Sequence, residues 1–374
     1  MNSLQHLIGT FGNILQQQLF PALQEELGPL SSRMEEFVRA LALLGLEGFV
    51  TVRLGPGRPR HDRVCIARAF LAKSIFNLPH NRALLDRLSN DAVLRRLCGW
   101  QTAAQVPDET VLSRAFAEFA RSEFPQRVHE ALIQRTRAQR LVGHISRDST
   151  AIRGREKSAA KKAAPTRRLH RKAGTAKQPE QMTRLERQWL GKMTLAKMLA
   201  EIPQACDKGC KPNAQGRKET WVGYKLHMDV ADGQIPISCL LSSASVNDMQ
   251  VAIPLAKMSG QRVVSLYDLM DTGYDCTAIR EHSRSENHVP VIGFQKRGSQ
   301  KPELAPHEKM RMRERSAVER VYSRLKDEYG AAKVRVRGSA KVMAHLMFGI
   351  LALSADQVLR WAGLHPAAEG TAPA

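Results

Sequence analysis

Apolar residues recur every three to four positions through much of the first 135 residues, the spacing of helices that bury one face. Cys65 to Phe76 (CIARAFLAKSIF) follows this spacing, and so does Asn81 to Leu97 through Leu84, Leu85, Leu88, Val93, Leu94 and Leu97. Asn90 and Asp91 interrupt the second run with side chains that cap helix N-termini, which predicts two helices there. Asp108 precedes a further run, Val111 to Ala120, with Glu109 in its first turn. A short acceptor followed by an acidic residue suits a helix start. Several short helices with interleaved arginines are compatible with a helix-turn-helix variant, and equally with a bundle that only supports dimerisation.

From about residue 140 the pattern shortens to strand-like runs. Leu141 to Ile152 (LVGHISRDSTAI) reads as a strand ending in a polar turn, and Trp221 to Val230 and Ile235 to Leu241 as two more. Asp232-Gly233 between the last two predicts a hairpin with a loop longer than two residues. Asn247-Asp248 is placed to cap a helix through Met258. Arg262 to Leu269 follows as a strand, Cys276 to His282 as a helix, and Val289 to Phe294 as a strand. Glu314 to Tyr329 and Val342 to Trp361 close the series as long helices. The order predicts an α/β (α+β mixed) architecture, a mixed sheet flanked by helices, preceded by an all-helical N-terminal domain. The expected domains are 1–135 and 136–362, with a basic insert at about 153–220 and a disordered tail at 363–374.

Charge changes the picture more than bulk composition does. A chain of 374 residues that is 43% hydrophobic can bury a substantial core, and 5% aromatics argue against a stacking-rich surface. Lys and Arg total 57 against 36 Asp and Glu, a net charge of +21, which favours a polyanionic partner and nucleic acid first. The charge is concentrated. Residues 153–177 carry ten Lys or Arg against one acid, Glu156. Such a run resists burial; it is expected to be flexible in the free protein and either to clamp DNA or to remain a solvated loop. Arg53 to Arg63 (RLGPGRPRHDR) reads as an exposed basic loop that lies along phosphates or merely links helices. Six scattered cysteines fit a reducing cytosol. Cys206 and Cys210 form a C-x3-C pair without the second half of a zinc site. The first residues have no signal-peptide pattern, no stretch approaches a membrane span of about 18 apolar residues, and Leu346 to Leu353 reads as a buried helix. A cytoplasmic, nucleoid-associated location and no membrane partner are expected.

Cutting a phosphodiester requires an activated nucleophile and a neutralised leaving oxygen, which two divalent ions about 4 Å apart can supply. Such ions prefer oxygen ligands, so two or three carboxylates must converge from different elements. Asp148 stands near the end of a predicted strand, and Asp271 lies just past another, where α/β sites are usually built. Asp268 and Asp275 flank it as rivals, and Asp248 reads as a supporting or structural residue. Glu319 falls mid-helix. There, Arg315, Glu319, Tyr322 and Lys326 share one narrow face at offsets 0, 4, 7 and 11, beside an apolar stripe of Val318, Val321 and Leu325. Periodicity alone favours a salt-bridged surface.

From about residue 60 to 360 the chain resembles bacterial insertion-sequence transposases of the DDE class, whose catalytic core is RNase H-like. The pieces that carry the resemblance are Arg147-Asp148-Ser149-Thr150, Asp271-Thr272-Gly273-Tyr274-Asp275, and Arg315 to Arg320 (RSAVER). Arg315, Glu319 and Lys326 stand at the spacing of the family's third motif, with Met312 where its Tyr is expected. Trp221 to His227, Ala244 to Asp248, and Leu78 to Arg114 with Pro107-Asp108-Glu109-Thr110 also look like pieces of the family pattern. The resemblance implies that Asp148, Asp271 and Glu319 are catalytic and hold two Mg²⁺ (or Mn²⁺) ions. It implies that Arg315 and Lys326 hold DNA phosphates near the cut. Arg153, Arg155, Lys161, Lys162, Arg167, Arg168, Arg171 and Lys172 of the insert are the further DNA-binding candidates. The expected partners are double-stranded DNA, as transposon terminal inverted repeats and target DNA, and a second copy of the chain. The expected activity is cut-and-paste transposition; an RNase H-like nuclease that never joins and an inactive or regulatory DNA-binding protein are the alternatives.

Overall fold

A computed structural model of the chain describes residues 19–50, 60–137, 141–159, 182–190, 193–212, 216–295 and 303–364. They fall into two compact units. One comprises Met1–Ala138, Ser323–Val336 and Ala340–Ala374, and the other Gln139–Tyr322 with Arg337–Ser339. The last long helix therefore belongs with the N-terminal helices.

The first unit is helical: α1 (Phe20–Leu27), α2 (Ser32–Leu44), α3 (Arg63–Ile75), α4 (Asn81–Asn90), α5 (Ala92–Cys98), α6 (Glu109–Arg121), α7 (Phe124–Arg137) and, near the C-terminus, α14 (Ser339–Trp361). Of the two capping candidates between α4 and α5, Asp91 is the one used, its side chain accepting from the Leu94 amide at 2.9 Å. Asp108 accepts from Val111 at 2.8 Å and starts α6. The core is aromatic: Phe348 of α14 lies with its ring 5.7 Å from Phe70 and 6.2 Å from both Phe116 and Phe124, ordinary distances for favourable ring pairs. By length and composition alone α14 could cross a membrane, with a mean hydropathy of 1.6, but 89% of that apolar window is buried inside the protein. Its apolar run is longer than the Leu346 to Leu353 segment picked out in the sequence.

The second unit holds β1 (Leu141–Arg153), α8 (Arg184–Leu190), α9 (Leu195–Ala200), β2 (Asp207–Pro212), β3 (Lys218–Ala231), β4 (Ile235–Ser243), α10 (Met249–Gly260), β5 (Val264–Met270), α11 (Thr277–Ser285), β6 (Val289–Ile292), α12 (Pro306–Met312) and the start of α13 (Ser316–Asp327). The sheet order is β2-β3-β1-β5-β6, with β4 also on β3. β3 runs antiparallel to β1, β2 and β4, whereas β1, β5 and β6 are parallel, so the sheet is mixed as expected. The β3–β4 loop is Asp232-Gly233-Gln234, with φ of 75° at Gly233 and 59° at Gln234. The Asp232 carboxylate ties this hairpin to β1 by accepting the Gly143 amide at 2.5 Å.

Three elements occupy part of the segment expected to be a basic insert. α9 is capped by Thr194, and α8 is fixed by a 3.0 Å bond from Gln188 Nε2 to the Gln250 carbonyl. β2 contains two Lys, a Gly and a Pro, and is a strand because β3 pairs with it from Asp207 to Pro212. Lys161, Lys162, Arg167, Arg168, Arg171 and Lys172 lie outside the described residues, as do positions 53–59 of the other basic loop.

Candidate active site

β1 continues five residues past Asp148 instead of ending near it, because β3 still pairs with it as far as Arg153 opposite Gly223. Its pairing with β5 does stop there: Arg147 lies opposite Met270, the last residue of β5. The next residues along these two parallel strands are Asp148 and Asp271. Matching positions on parallel neighbours point to the same face and lie roughly 5 Å apart along the backbone. Period-2 alternation sends Arg147 to the opposite face. There its guanidinium is buried, with two 2.8 Å bonds to the Asp229 carboxylate on β3, which also accepts from Ser259 Oγ of α10 at 2.7 Å.

α13 lies on the Asp148 face. Val318, Val321 and Leu325 are buried along its apolar stripe. Tyr322, also buried, places its hydroxyl 2.7 Å from the Asp148 carbonyl and 3.1 Å from the Leu226 carbonyl, so the helix is fastened to the strand that carries Asp148. The helix begins later than the sequence suggests. Arg313–Arg315 forms a 3-10 turn, which puts Glu319 in the first α-helical turn rather than mid-helix. Arg315 still reaches Glu319, Nη2 to Oε1 at 2.5 Å, and its Nη1 lies 3.4 Å from Asp148 Oδ2.

The carboxylates influence one another. The Asp148 carboxyl is raised to about 6, first by burial and then by the Asp271 and Asp248 charges, against the pull of the Ser149 amide and Arg315. Burial raises Asp271 too, with Asp248 and Glu319 adding to it, while the Gly273 amide and Arg315 oppose. The rivals of Asp271 are engaged elsewhere. Asp268 is buried against His288, at 3.2 Å; burial works to raise its pKa, but His288, Arg147 and Ser283 outweigh it and the net shift is downward. Asp275 holds Arg280 at 3.0 Å and accepts the Gln295 amide at 3.0 Å.

Among the described residues no three His, Cys, Asp or Glu groups are close enough to hold a metal ion directly. Asp148 and Glu319 are instead spanned by the cationic fork of Arg315. The donor set nonetheless fits a hard divalent cation in kind: carboxylate oxygens, of which those of Asp148 and Asp271 are raised first by burial and then by neighbouring acids, a penalty that a cation would offset. Arg315 already provides a positive charge there.

The remaining candidates are less concentrated. Lys326 stands seven residues beyond Glu319 on α13, half-buried and past the boundary between the units at Tyr322/Ser323. Arg153 pairs with Glu219 at 3.3 Å and Arg155 is exposed. Two features were not found in the sequence. Lys225 Nζ lies 2.9 Å from Asp248 Oδ1, joining β3 to the start of α10. The Tyr274 hydroxyl is buried without a hydrogen-bond partner among the described residues, within the electrostatic reach of Asp148, Asp248 and Asp271. A hydrophobic residue at Tyr274's place in the turn after Asp271 could have been expected to be buried; the Lys225–Asp248 pair had no local signal.

Two family models match the chain. One, described as a transposase DDE domain, matches residues 143–355, more than half of the chain and all three candidate carboxylates. The other, described as a transposase domain, matches residues 26–118 in the helical region. No curated protein and no solved structure matches.

Proposed function

The chain belongs to the family of DDE-domain transposases, and from that premise we propose that it cuts DNA at transposon ends and joins the freed 3′ ends to target DNA through Asp148, Asp271 and Glu319. The observation that carries this reading is the β1–β5 register, which sets Asp148 and Asp271 on one face, together with the Arg315 contacts to Asp148 and Glu319. Bound among these carboxylates, Mg²⁺ or Mn²⁺ would supply the charge that activates the attacking oxygen and neutralises the leaving one. The three carboxylates hold that charge in place. Tyr322 keeps the Asp148 strand and the Glu319 helix in register by its hydroxyl. Arg315 and Lys326 contact phosphates flanking the scissile bond, Arg315 by a planar fork suited to two phosphate oxygens.

Arg153, Arg155 and the basic run that follows them, with Lys161, Lys162, Arg167, Arg168, Arg171 and Lys172, add sequence-independent grip on the backbone. The helical N-terminal region serves end recognition or dimerisation. Two ends require two sites, so the working form on DNA is a homodimer. Incubating the protein with a labelled duplex carrying the element's terminal repeats, a circular target and Mg²⁺ tests the reading. Cleaved ends covalently joined to target are expected. Cleavage without any joined product would replace the transposase reaction with that of a nuclease.

A further inference from the structure

Arg315 stands on both sides of the proposed chemistry. It is a phosphate contact by its place in the motif, and in the free protein its guanidinium spans two of the three carboxylates. The geometry limits how these roles coexist. Asp148 Oδ1 already accepts the Ser149 amide at 2.7 Å, so Oδ2 carries more of that carboxylate's unspent acceptor capacity, and Oδ2 is the oxygen Arg315 faces at 3.4 Å. On Glu319 the same guanidinium engages Oε1 at 2.5 Å. A divalent cation drawing on Asp148 and Glu319 would have to share those oxygens with a fixed positive charge a few ångströms away, which costs energy at any plausible local dielectric. A phosphate offers the guanidinium a better-matched, bidentate partner.

We infer that Arg315 is a resident counter-cation that couples metal binding to DNA binding: it occupies the carboxylates until a DNA phosphate draws it away, and only then do they bind a divalent ion tightly. The inference rests on the proposed metal site. Coupling of this kind is reciprocal, so the ion tightens DNA binding by the factor by which DNA tightens ion binding. Its consequence is order: the nuclease centre assembles on DNA and stays disarmed without it. Lys could not replace Arg in this role, because a single ammonium lacks the two separated donors that span Asp148 and Glu319.

The test is Mn²⁺ binding to the full chain without DNA, by titration calorimetry or by electron paramagnetic resonance of free Mn²⁺. It compares the wild type, Arg315→Gln, Arg315→Lys, Glu319→Gln and the double variant Arg315→Gln/Glu319→Gln. Arg315→Gln should bind Mn²⁺ about tenfold more tightly than the wild type, within the usual range of site-to-site coupling. Arg315→Lys should gain less, and Glu319→Gln should weaken binding in both backgrounds. At constant ionic strength, Mn²⁺ should tighten duplex binding by the wild type and not by Arg315→Gln. If the wild type and both Arg315 variants bind Mn²⁺ equally while Glu319→Gln weakens binding in both backgrounds, the coupling is overturned and the metal site stands. If Glu319→Gln leaves Mn²⁺ affinity unchanged in both backgrounds, the metal-site reading falls, and the coupling with it.

Discussion

Removing the Asp229 carboxylate tests how the site strand is held. Arg147 and Asp229 have side chains only 2% and 0% exposed, and two 2.8 Å bonds join them across β1 and β3. In Asp229→Ala the guanidinium stays buried and cannot shed its proton. Breaking one partner out of such a pair costs about 3–5 kcal/mol, against a total stability of about 5–15 kcal/mol for a typical domain. Asp268, buried on the same face and within the electrostatic reach of Arg147, compensates in part and places the expected loss near the lower figure. Because the chain has two compact units, hydrogen exchange read by peptide is the appropriate assay. Peptides from β1 and β3 should lose about 3 kcal/mol of protection, while those from α3 and α6 stay unchanged. Replacing both partners, as in Arg147→Met with Asp229→Leu, should recover most of the loss. A single-variant loss under about 1 kcal/mol, or a double variant less protected than the single one, would refute the argument that an unpaired buried charge dominates.

Tyr322→Phe removes the hydroxyl that fastens α13 to Asp148; a loss of about 1 kcal/mol in stability is expected by thermal denaturation, with a larger proportional fall in DNA cleavage, and equal small effects on both would show that the bond does not position the site. Asp148→Asn should be more stable than the wild type at pH 8 by up to about 3 kcal/mol, since the carboxyl is raised to about 6 from its ordinary 3.8. The folded wild type then binds more protons than the unfolded chain between about pH 4 and 6, so its stability falls as pH rises through that window; the advantage of Asp148→Asn should vanish below pH 4, and one that persists there would exclude this origin. Neutralising Arg167, Arg168, Arg171 and Lys172 should flatten the slope of log DNA affinity against log salt by about 0.9 for each phosphate that these side chains neutralise, and an unchanged slope would make the run a plain linker.

How legible the fold was depended on where each signal resided. Helices with an apolar stripe and a cap, such as α6 behind Asp108, were readable because both signals are local. The same holds for the three-residue hairpin at Asp232-Gly233-Gln234. α8, α9 and β2 were hidden because each is short and sits among charges; Thr183 and Thr194 cap α8 and α9 locally, but α8 is held by Gln250 and β2 is a strand through β3, both far away in sequence. Asp148 was expected at a strand end; it lies at the end of one pairing and in the middle of another, which one strand's sequence cannot express. The choice among Asp268, Asp271 and Asp275 needed register: two-residue alternation separates Asp268 from Asp271 only once Met270 is known to lie opposite Arg147. The Arg315–Glu319 spacing was visible, but that Asp148 Oδ2 would join them was not, because 167 residues separate it from Arg315.

Three carboxylates are proposed to carry the cutting step. Single-turnover cleavage of a duplex bearing the terminal repeats, in Mg²⁺, by the wild type and by Asp148→Asn, Asp271→Asn and Glu319→Gln measures it directly. DNA binding by gel shift serves as the control for folding. Each variant is expected to bind the duplex and none to cut it. A variant at any of the three that binds and cuts at the wild-type rate would contradict this assignment.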